Sequence, residues 1–215
     1  MSKKSETGFT LVEIAIVIAI VGLLIGGVLK GQEMLTNSKL KRIESDQSEI
    51  MAAMAAYQDR YMQMPGDDDR ASLRFSVYSD GVDDPAANEI NGSGDGFLDG
   101  NWMATANTET ANVWKHLRAS GLIDGGADDE TQPTHAYGGT IGIRDGSLNL
   151  AGTTAVFASL EGPVMRIIED RHDDGSPASG RIQSELTAVQ MDGNTASTAG
   201  STYSDDARYF VAFRL

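Results

Sequence analysis

Oxygen-bearing side chains at alternate positions of a glycine-rich stretch are the most chemically pointed feature of this 215-residue chain. Asn91-Gly-Ser93-Gly-Asp95-Gly96-Phe-Leu-Asp99 places oxygens at the first, third and fifth positions of a calcium-loop pattern, Gly at the sixth and an acid at the ninth. Hard cations need several oxygens converging on a tight turn, and this spacing supplies them. The twelfth position is Trp102 where an EF-hand has Glu, so a further carboxylate, from Asp67 to Asp69, would have to complete the shell. An Asp/Gly turn without a metal is the competing reading. Asp173 and Asp174 are a weaker pair of the same kind and read as a turn after a helix. Calcium is thus the only cofactor candidate.

Catalytic chemistry finds little support. His116, His135 and His172 lack zinc spacing, and no nucleophile elbow, phosphate loop or dinucleotide fingerprint follows a strand. Cysteine is absent, which removes disulfides, thiolate metal sites and Cys nucleophiles together. Seventeen basic against 31 acidic side chains give a formal charge of -14, which argues against nucleic acid or anionic lipid headgroups as general partners. The chain reads as a non-enzyme.

One acid stands where an acid is costly. Phe9 to Leu29, FTLVEIAIVIAIVGLLIGGVL, carries a single charge, Glu13. As a helix the run spans roughly 30 Å, the thickness of a bilayer core, and it is apolar on every face. A carboxylate there needs a partner or a functional reason. Either it is neutral near the headgroups, or it pairs with a positive group from another subunit. Met1 to Gly8 is polar, and the small-residue boundary at Gly8 precedes the apolar run, unlike the cleavage site of a secretory signal. Cutting there leaves the hydrophobic helix on the mature protein.

These residues, Thr7 to about Lys30, resemble the N-terminus of type IV pilins and type II secretion pseudopilins. The resemblance implies that prepilin peptidase cuts after Gly8 on the cytoplasmic side and methylates Phe9. It implies that Glu13 pairs with the N-terminal amine of a neighbouring subunit during filament assembly. The mid-helix Pro of many pilins is missing; Gly26 and Gly27 offer a softer break. Lys30, Lys39, Lys41 and Arg42 outnumber Lys3 and Lys4, so the positive-inside rule opposes a cytoplasmic N-terminus, which the family resemblance favours.

Beyond the apolar run the period changes. Leu40, Ile43, Gln47, Ile50, Met54, Tyr57, Tyr61 and Met64 follow alternating steps of three and four, one seam of an amphipathic helix that Pro65-Gly66 ends. A helix from Phe9 to about Gln63 would be roughly 80 Å long. The seam should face a globular domain, with a free coiled coil as the alternative. Gly66 to Gly100 is loop-rich, including Asp83-Asp84-Pro85. Thr108 to Ser120 fits a helix capped by Asn107 or Thr108, with Val113, Trp114 and Leu117 inward and Gly121 after its end. Asp145-Gly146 between Thr140–Arg144 and Ser147–Leu150 predicts a hairpin turn. Strands are expected over 153–158, 181–190 and 208–215, a helix from Pro163 to about Arg171, and a mobile Gly/Ser/Thr-rich loop over 192–206.

The expected fold class is α+β and type IV pilin-like, a long N-terminal helix on an antiparallel sheet. The expected division is a leader at 1–8, a membrane and filament-core helix at 9–29, its amphipathic continuation at 30–64 and a globular domain at 65–215. The soluble part also resembles a subgroup of uncharacterised pilin-like proteins through Tyr61-x-x-Met64-Pro65-Gly66-Asp67, NGSGDG, VWKHLRASGLI and DRHDDGSPASG, a resemblance that brings no biochemical activity. The resemblance implies a filament subunit. Its partners would be copies of itself, other pilins or pseudopilins, prepilin peptidase, the inner membrane and an assembly platform there. It would be a single-pass inner-membrane protein that moves into a periplasmic or cell-surface filament. A type II secretion pseudopilin and a membrane-anchored calcium-binding domain are the alternatives.

Overall fold

A computed structural model of the chain describes residues 9–75, 90–106, 108–192 and 196–215. Gly8 and the rest of 1–8, Asp83-Asp84-Pro85 and Asn107 lie outside the described residues. Helix α1, Leu11–Tyr61, is continuous, and Gly26-Gly27 does not interrupt it. Contact density divides the chain into Met1–Lys41 and Arg42–Leu215, with the division inside α1.

In the first unit every described residue from Phe9 to Lys39 is exposed, Phe9 at 82%. This part of α1 is long and apolar enough to cross a membrane, and none of its apolar window is buried. A soluble helix would not leave such a face to water, because about 25 cal/mol is lost for each square ångström of apolar surface left wet.

In the second unit α1 enters a folded domain. Ile43, Ile50, Met54 and Tyr57 of the predicted seam are buried, while Gln47, Tyr61 and Met64 are half-buried. The seam therefore packs on its own domain. Met62 then takes a positive φ of 56° and ends the helix two residues before the expected limit.

The sheet has four antiparallel strands in the order β1-β2-β4-β3: β1 Ile141–Ser147, β2 Leu150–Glu161, β3 Ile182–Glu185 and β4 Arg208–Arg214. Pairing of Ile141 with Phe157, Ile143 with Ala155, Ala155 with Phe213 and Phe157 with Val211 aligns one apolar face. Helix α1 covers that face: Ile50 and Ile141 line one cavity, Gln47 and Phe213 another. Ion pairs from Glu44 to Arg171 at 3.2 Å and to His172 at 3.1 Å fasten the same stretch. On the opposite face Trp102 packs with Leu148, Leu150, Val156, Ala158, Met191 and Ala212. The C-terminal strand sits inside the sheet because both of its faces are apolar, Val211 and Phe213 on one side and Ala212 on the other.

The remaining helices are α2 Ala71–Arg74, α3 Glu109–Ala119 and α4 Gly162–His172. Helix α3 begins where expected: the Thr108 hydroxyl accepts a hydrogen bond from Ala111 N, and Val113, Trp114 and Leu117 are buried. Helix α4 carries Pro163 in its first turn, as predicted.

Two expectations are corrected. Asp145-Gly146 is not the hairpin turn; Gly146 forms a bulge within β1, and Leu148-Asn149 makes the turn. Contacts to the preceding loop decide this. The Asp145 carboxylate accepts Leu98 N at 2.8 Å, and Leu148 tolerates a φ of 55° because its side chain is fully buried in the Trp102 cluster. The strand expected over 181–190 stops at Glu185, and Ala188–Met191 is a 3-10 turn. Its carbonyls accept side-chain donors in place of a ladder: Trp102 Nε1 donates to Ala188 O, and Ser147 Oγ to Met191 O. The described part of the loop expected to be mobile is tied down, with Thr198 Oγ1 donating to Glu185 at 2.9 Å and Tyr203 buried.

Candidate functional site

The N-terminal acid has a local partner. Glu13 Oε2 accepts hydrogen bonds from Thr10 N and Thr10 Oγ1, both at 2.8 Å, while Glu13 N donates to Thr10 Oγ1 at 3.3 Å. This is a reciprocal capping box, which satisfies the first amides of a helix that would otherwise have no acceptor. Thr10-x-x-Glu13 carries that signature openly, although the expected roles of Glu13 leave it out. Phe9 precedes the box and is exposed.

The glycine-rich stretch is organised around an acid from elsewhere in the chain. Asp67 is fully buried and lies at the turn after α1. Its Oδ1 accepts Gly94 N at 2.6 Å, Asp95 N at 3.3 Å and Ser93 Oγ at 3.1 Å, and its Oδ2 accepts Gly96 N at 2.7 Å. Glu109 holds the rim, accepting Ser93 N at 2.7 Å and Asp99 N at 2.9 Å. The approach needs a glycine: a Cβ on Gly92 would stand 2.3 Å from Asp67 Cα.

Three of the four predicted ligand residues direct their side chains to separate partners. Asn91 Oδ1 accepts Ser72 N at 2.9 Å, Ser93 donates to Asp67, and Asp95 Oδ1 accepts Phe97 N at 2.9 Å. The loop presents N–H groups to its interior, and that interior holds a carboxylate. Asp67 is the residue the sequence reading left as one of three candidates for the shell, and Glu109 is one it did not consider.

The neighbouring acid anchors the end of α1. Asp68 Oδ2 accepts Tyr57 Oη and Arg74 Nη1, both at 2.7 Å, and its Oδ1 accepts Arg70 N at 2.9 Å. Burial, then the bond to Asp68, raises the Tyr57 hydroxyl well above its ordinary range. His116 closes the junction. Its Nδ1 accepts Gly66 N at 2.7 Å and its Nε2 faces Ile90 O at 2.8 Å, so the ring is neutral with the proton on Nε2. Burial pushes this imidazole down to about 4. Three of the quoted segments, Met64-Pro-Gly-Asp67, NGSGDG and the α3 sequence, therefore meet in one polar junction. His135 is spent on Ala158 O at 2.7 Å and His172 on Glu44, so the three histidines form no joint site.

Residues 3–29 match the family model of the prokaryotic N-terminal methylation motif. Together with the long N-terminal helix, the match supports the type IV pilin and pseudopilin family and a substrate of prepilin peptidase. Such a motif is in keeping with a structural protein, and the exposed apolar helix fits anchoring in the inner membrane. No match was found among curated proteins or among solved structures.

Proposed function

We propose that this chain is a structural subunit of a type IV pilus-like filament. The match of residues 3–29 to the methylation motif carries the reading. Residues 1–8 are the leader, 9–29 the membrane and filament-core helix, 30–64 its amphipathic continuation and 65–215 the exported domain. Prepilin peptidase cuts after Gly8 on the cytoplasmic face and methylates Phe9. The freed helix then leaves the inner membrane through an assembly platform and packs against other subunits.

Glu13 sets the register of that packing. Both Thr10 donors use Oε2, so in this reading Oε1 is the oxygen offered to a neighbour's N-terminal amine. Charge pairing inside an apolar filament core favours one axial position, since a carboxylate without a partner in hydrocarbon costs a few kcal/mol.

A pseudopilin of a type II secretion system shares the same segment and is the second reading. Surface fibres in a sheared fraction speak for a pilus, and loss of exoprotein secretion on deletion for a pseudopilus. Calcium at Asn91, Ser93, Asp95 and Asp99 is the proposal the loop supports least, because its N–H groups point inward.

Mass spectrometry of the native N-terminus tests processing. A chain starting at methylated Phe9 is expected. An intact Met1 terminus in membranes of cells with active prepilin peptidase overturns the assignment.

A further inference from the structure

The chain is strongly acidic as a whole, yet one small cavity of the folded domain has no acid in its lining. It measures about 120 Å³ and is lined by Gln47 of α1, His172 at the end of α4, Arg181 and Ile182 where β3 begins, and Phe213 and Arg214 where β4 ends. Arg214 N donates to Arg181 O at 3.3 Å, which extends the β3–β4 ladder by one residue and sets the two arginines side by side. Both are exposed, and neither guanidinium has an ion pair or a hydrogen bond among the described residues. Like charges opposed across two strands destabilise a sheet, and an arginine cannot shed its proton to relieve them.

The acids that reach this corner are turned to other donors. Glu44 Oε1 takes Arg171 at 3.2 Å and His172 at 3.1 Å. Asp173 Oδ2 accepts the backbone amides of Arg181 and Ile182, the latter at 2.6 Å, and so meets the main chain of the corner instead of a guanidinium. Two positive charges are therefore left over beside a cavity. Ile182 and Phe213 in its lining are buried, and a charge-assisted hydrogen bond is stronger against such an apolar floor than in open water.

We propose that Arg181 and Arg214 hold a terminal phosphate group at this cavity, as inorganic phosphate or as the head of a phosphate monoester. A guanidinium presents a planar fork of donors that matches phosphate in bidentate fashion. A phosphate carries about -1.5 to -2 charges at pH 7 and three acceptor oxygens, so one group neutralises both arginines. A carboxylate carries a single charge and is satisfied by one fork, which leaves the second arginine unpaired. The volume sets the size of what enters, since it lies far below the roughly 300 Å³ at which pockets begin to hold drug-sized ligands. One compact oxyanion fits, and the remainder of an ester stays outside. The Gln47 amide is a further donor available from α1. The bound group joins α1 to the corner where β3 begins and β4 ends. It is a local exception to the charge of the chain, resting on two side chains that no acid of the fold has claimed.

The test uses the full chain in nonionic detergent micelles free of phosphate, titrated calorimetrically at pH 7 with sodium phosphate and, separately, with sodium acetate at matched ionic strength. One phosphate per chain is expected, with no saturable binding of acetate. Arg181→Gln and Arg214→Gln should each weaken phosphate binding about tenfold or more. Arg166→Gln removes an exposed arginine of α4 that is paired with Asp205, and should leave binding unchanged. Removing one of two opposed like charges should not lower the melting temperature measured without phosphate, so lost binding is assigned to the site and not to unfolding. Micelles carrying phosphatidic acid separate the sources: competition with free phosphate marks a lipid headgroup as the occupant, and its absence a soluble phosphate. Absence of saturable phosphate binding by the native chain overturns the proposal. So does binding that survives both Arg181→Gln and Arg214→Gln, or acetate bound as tightly as phosphate. None of these outcomes depends on whether the chain forms filaments.

Discussion

A single buried carboxylate, Asp67, does most to shape the region after α1. Three backbone amides and one hydroxyl of the 93–96 stretch end on it. Replacing it by Ala leaves those donors, which lie on exposed residues, with only water as acceptor, and should cost about 2 kcal/mol. For a chain of this size that corresponds to roughly 4–8 °C in melting temperature, followed by circular dichroism. Asp67→Asn retains one acceptor oxygen and should fall between the two. An Ala variant that melts with the native chain would show that the loop is held by other contacts. The same residue explains why the 91–99 pattern is ambiguous in the sequence. Asn, Ser, Asp and Gly at those spacings build either a loop whose oxygens face a cation or one whose amides face an anion. Backbone direction decides between them, and Asp67 enters from more than twenty residues earlier.

At the scale of elements, α3 and the turn after α1 are coupled through His116. Its neutral ring accepts Gly66 N and donates to Ile90 O, so protonation at Nδ1 must break the first bond. Burial drives the imidazole down to about 4, with Asp68 acting in the opposite direction and Lys115 and Arg74 in the same one. An unfolded histidine titrates near 6.5, so between that pH and about 4 the unfolded chain binds more protons than the folded one. The contribution is therefore complete above about 6.5 and is lost as pH falls, by roughly 3 kcal/mol at the lower end. Glu169, raised to about 7 by burial, acts in the opposite direction over the same window, so the His116 contribution is read as the difference between the native chain and His116→Gln in denaturant unfolding at steps from pH 7 to 5. A His116→Gln variant whose stability follows the same pH dependence as the native chain would contradict this role.

Helix α3 itself was legible, since Thr108, the apolar spacing and Gly121 are local signals. The β1–β2 hairpin was legible as a hairpin but not in its turn. Asp-Gly is locally suited to reverse the chain, yet the long-range bond from Leu98 N to Asp145 and the burial of Leu148 outweigh that preference. The burial of Glu169 was readable in part: it falls four residues after Met165 on the buried stripe of α4, an acid where an apolar residue is expected.

For the molecule as a whole, the first unit carries an apolar helix exposed from Phe9 to Lys39, and the second is a folded domain with its own core. Under the proposed function the two have separable roles, so a change confined to Glu13 should act on assembly alone. Glu13→Ala should leave membrane insertion and the melting of the domain intact and reduce incorporation into filaments at least about tenfold, as expected for loss of a few kcal/mol of pairing. Immunoblots of sheared fibres against membranes read the difference. Normal incorporation of the Ala variant would remove Glu13 from the register.

The sequence by itself determined the N-terminal segment, because its evidence is local and dense: a small-residue boundary at Gly8, one acid at Glu13 and an apolar run as long as a bilayer is thick. It also determined the α+β class and the seam from Ile43 to Tyr57, where a helical period points in one direction. Tertiary structure decided the rest. It placed β4 between β2 and β3, turned the 93–96 amides onto Asp67 and set Arg181 beside Arg214. These outcomes join residues far apart in the chain through hydrogen bonds and burial. No local preference specifies such bonds, because each depends on which other backbone and side chains the fold carries to the same place.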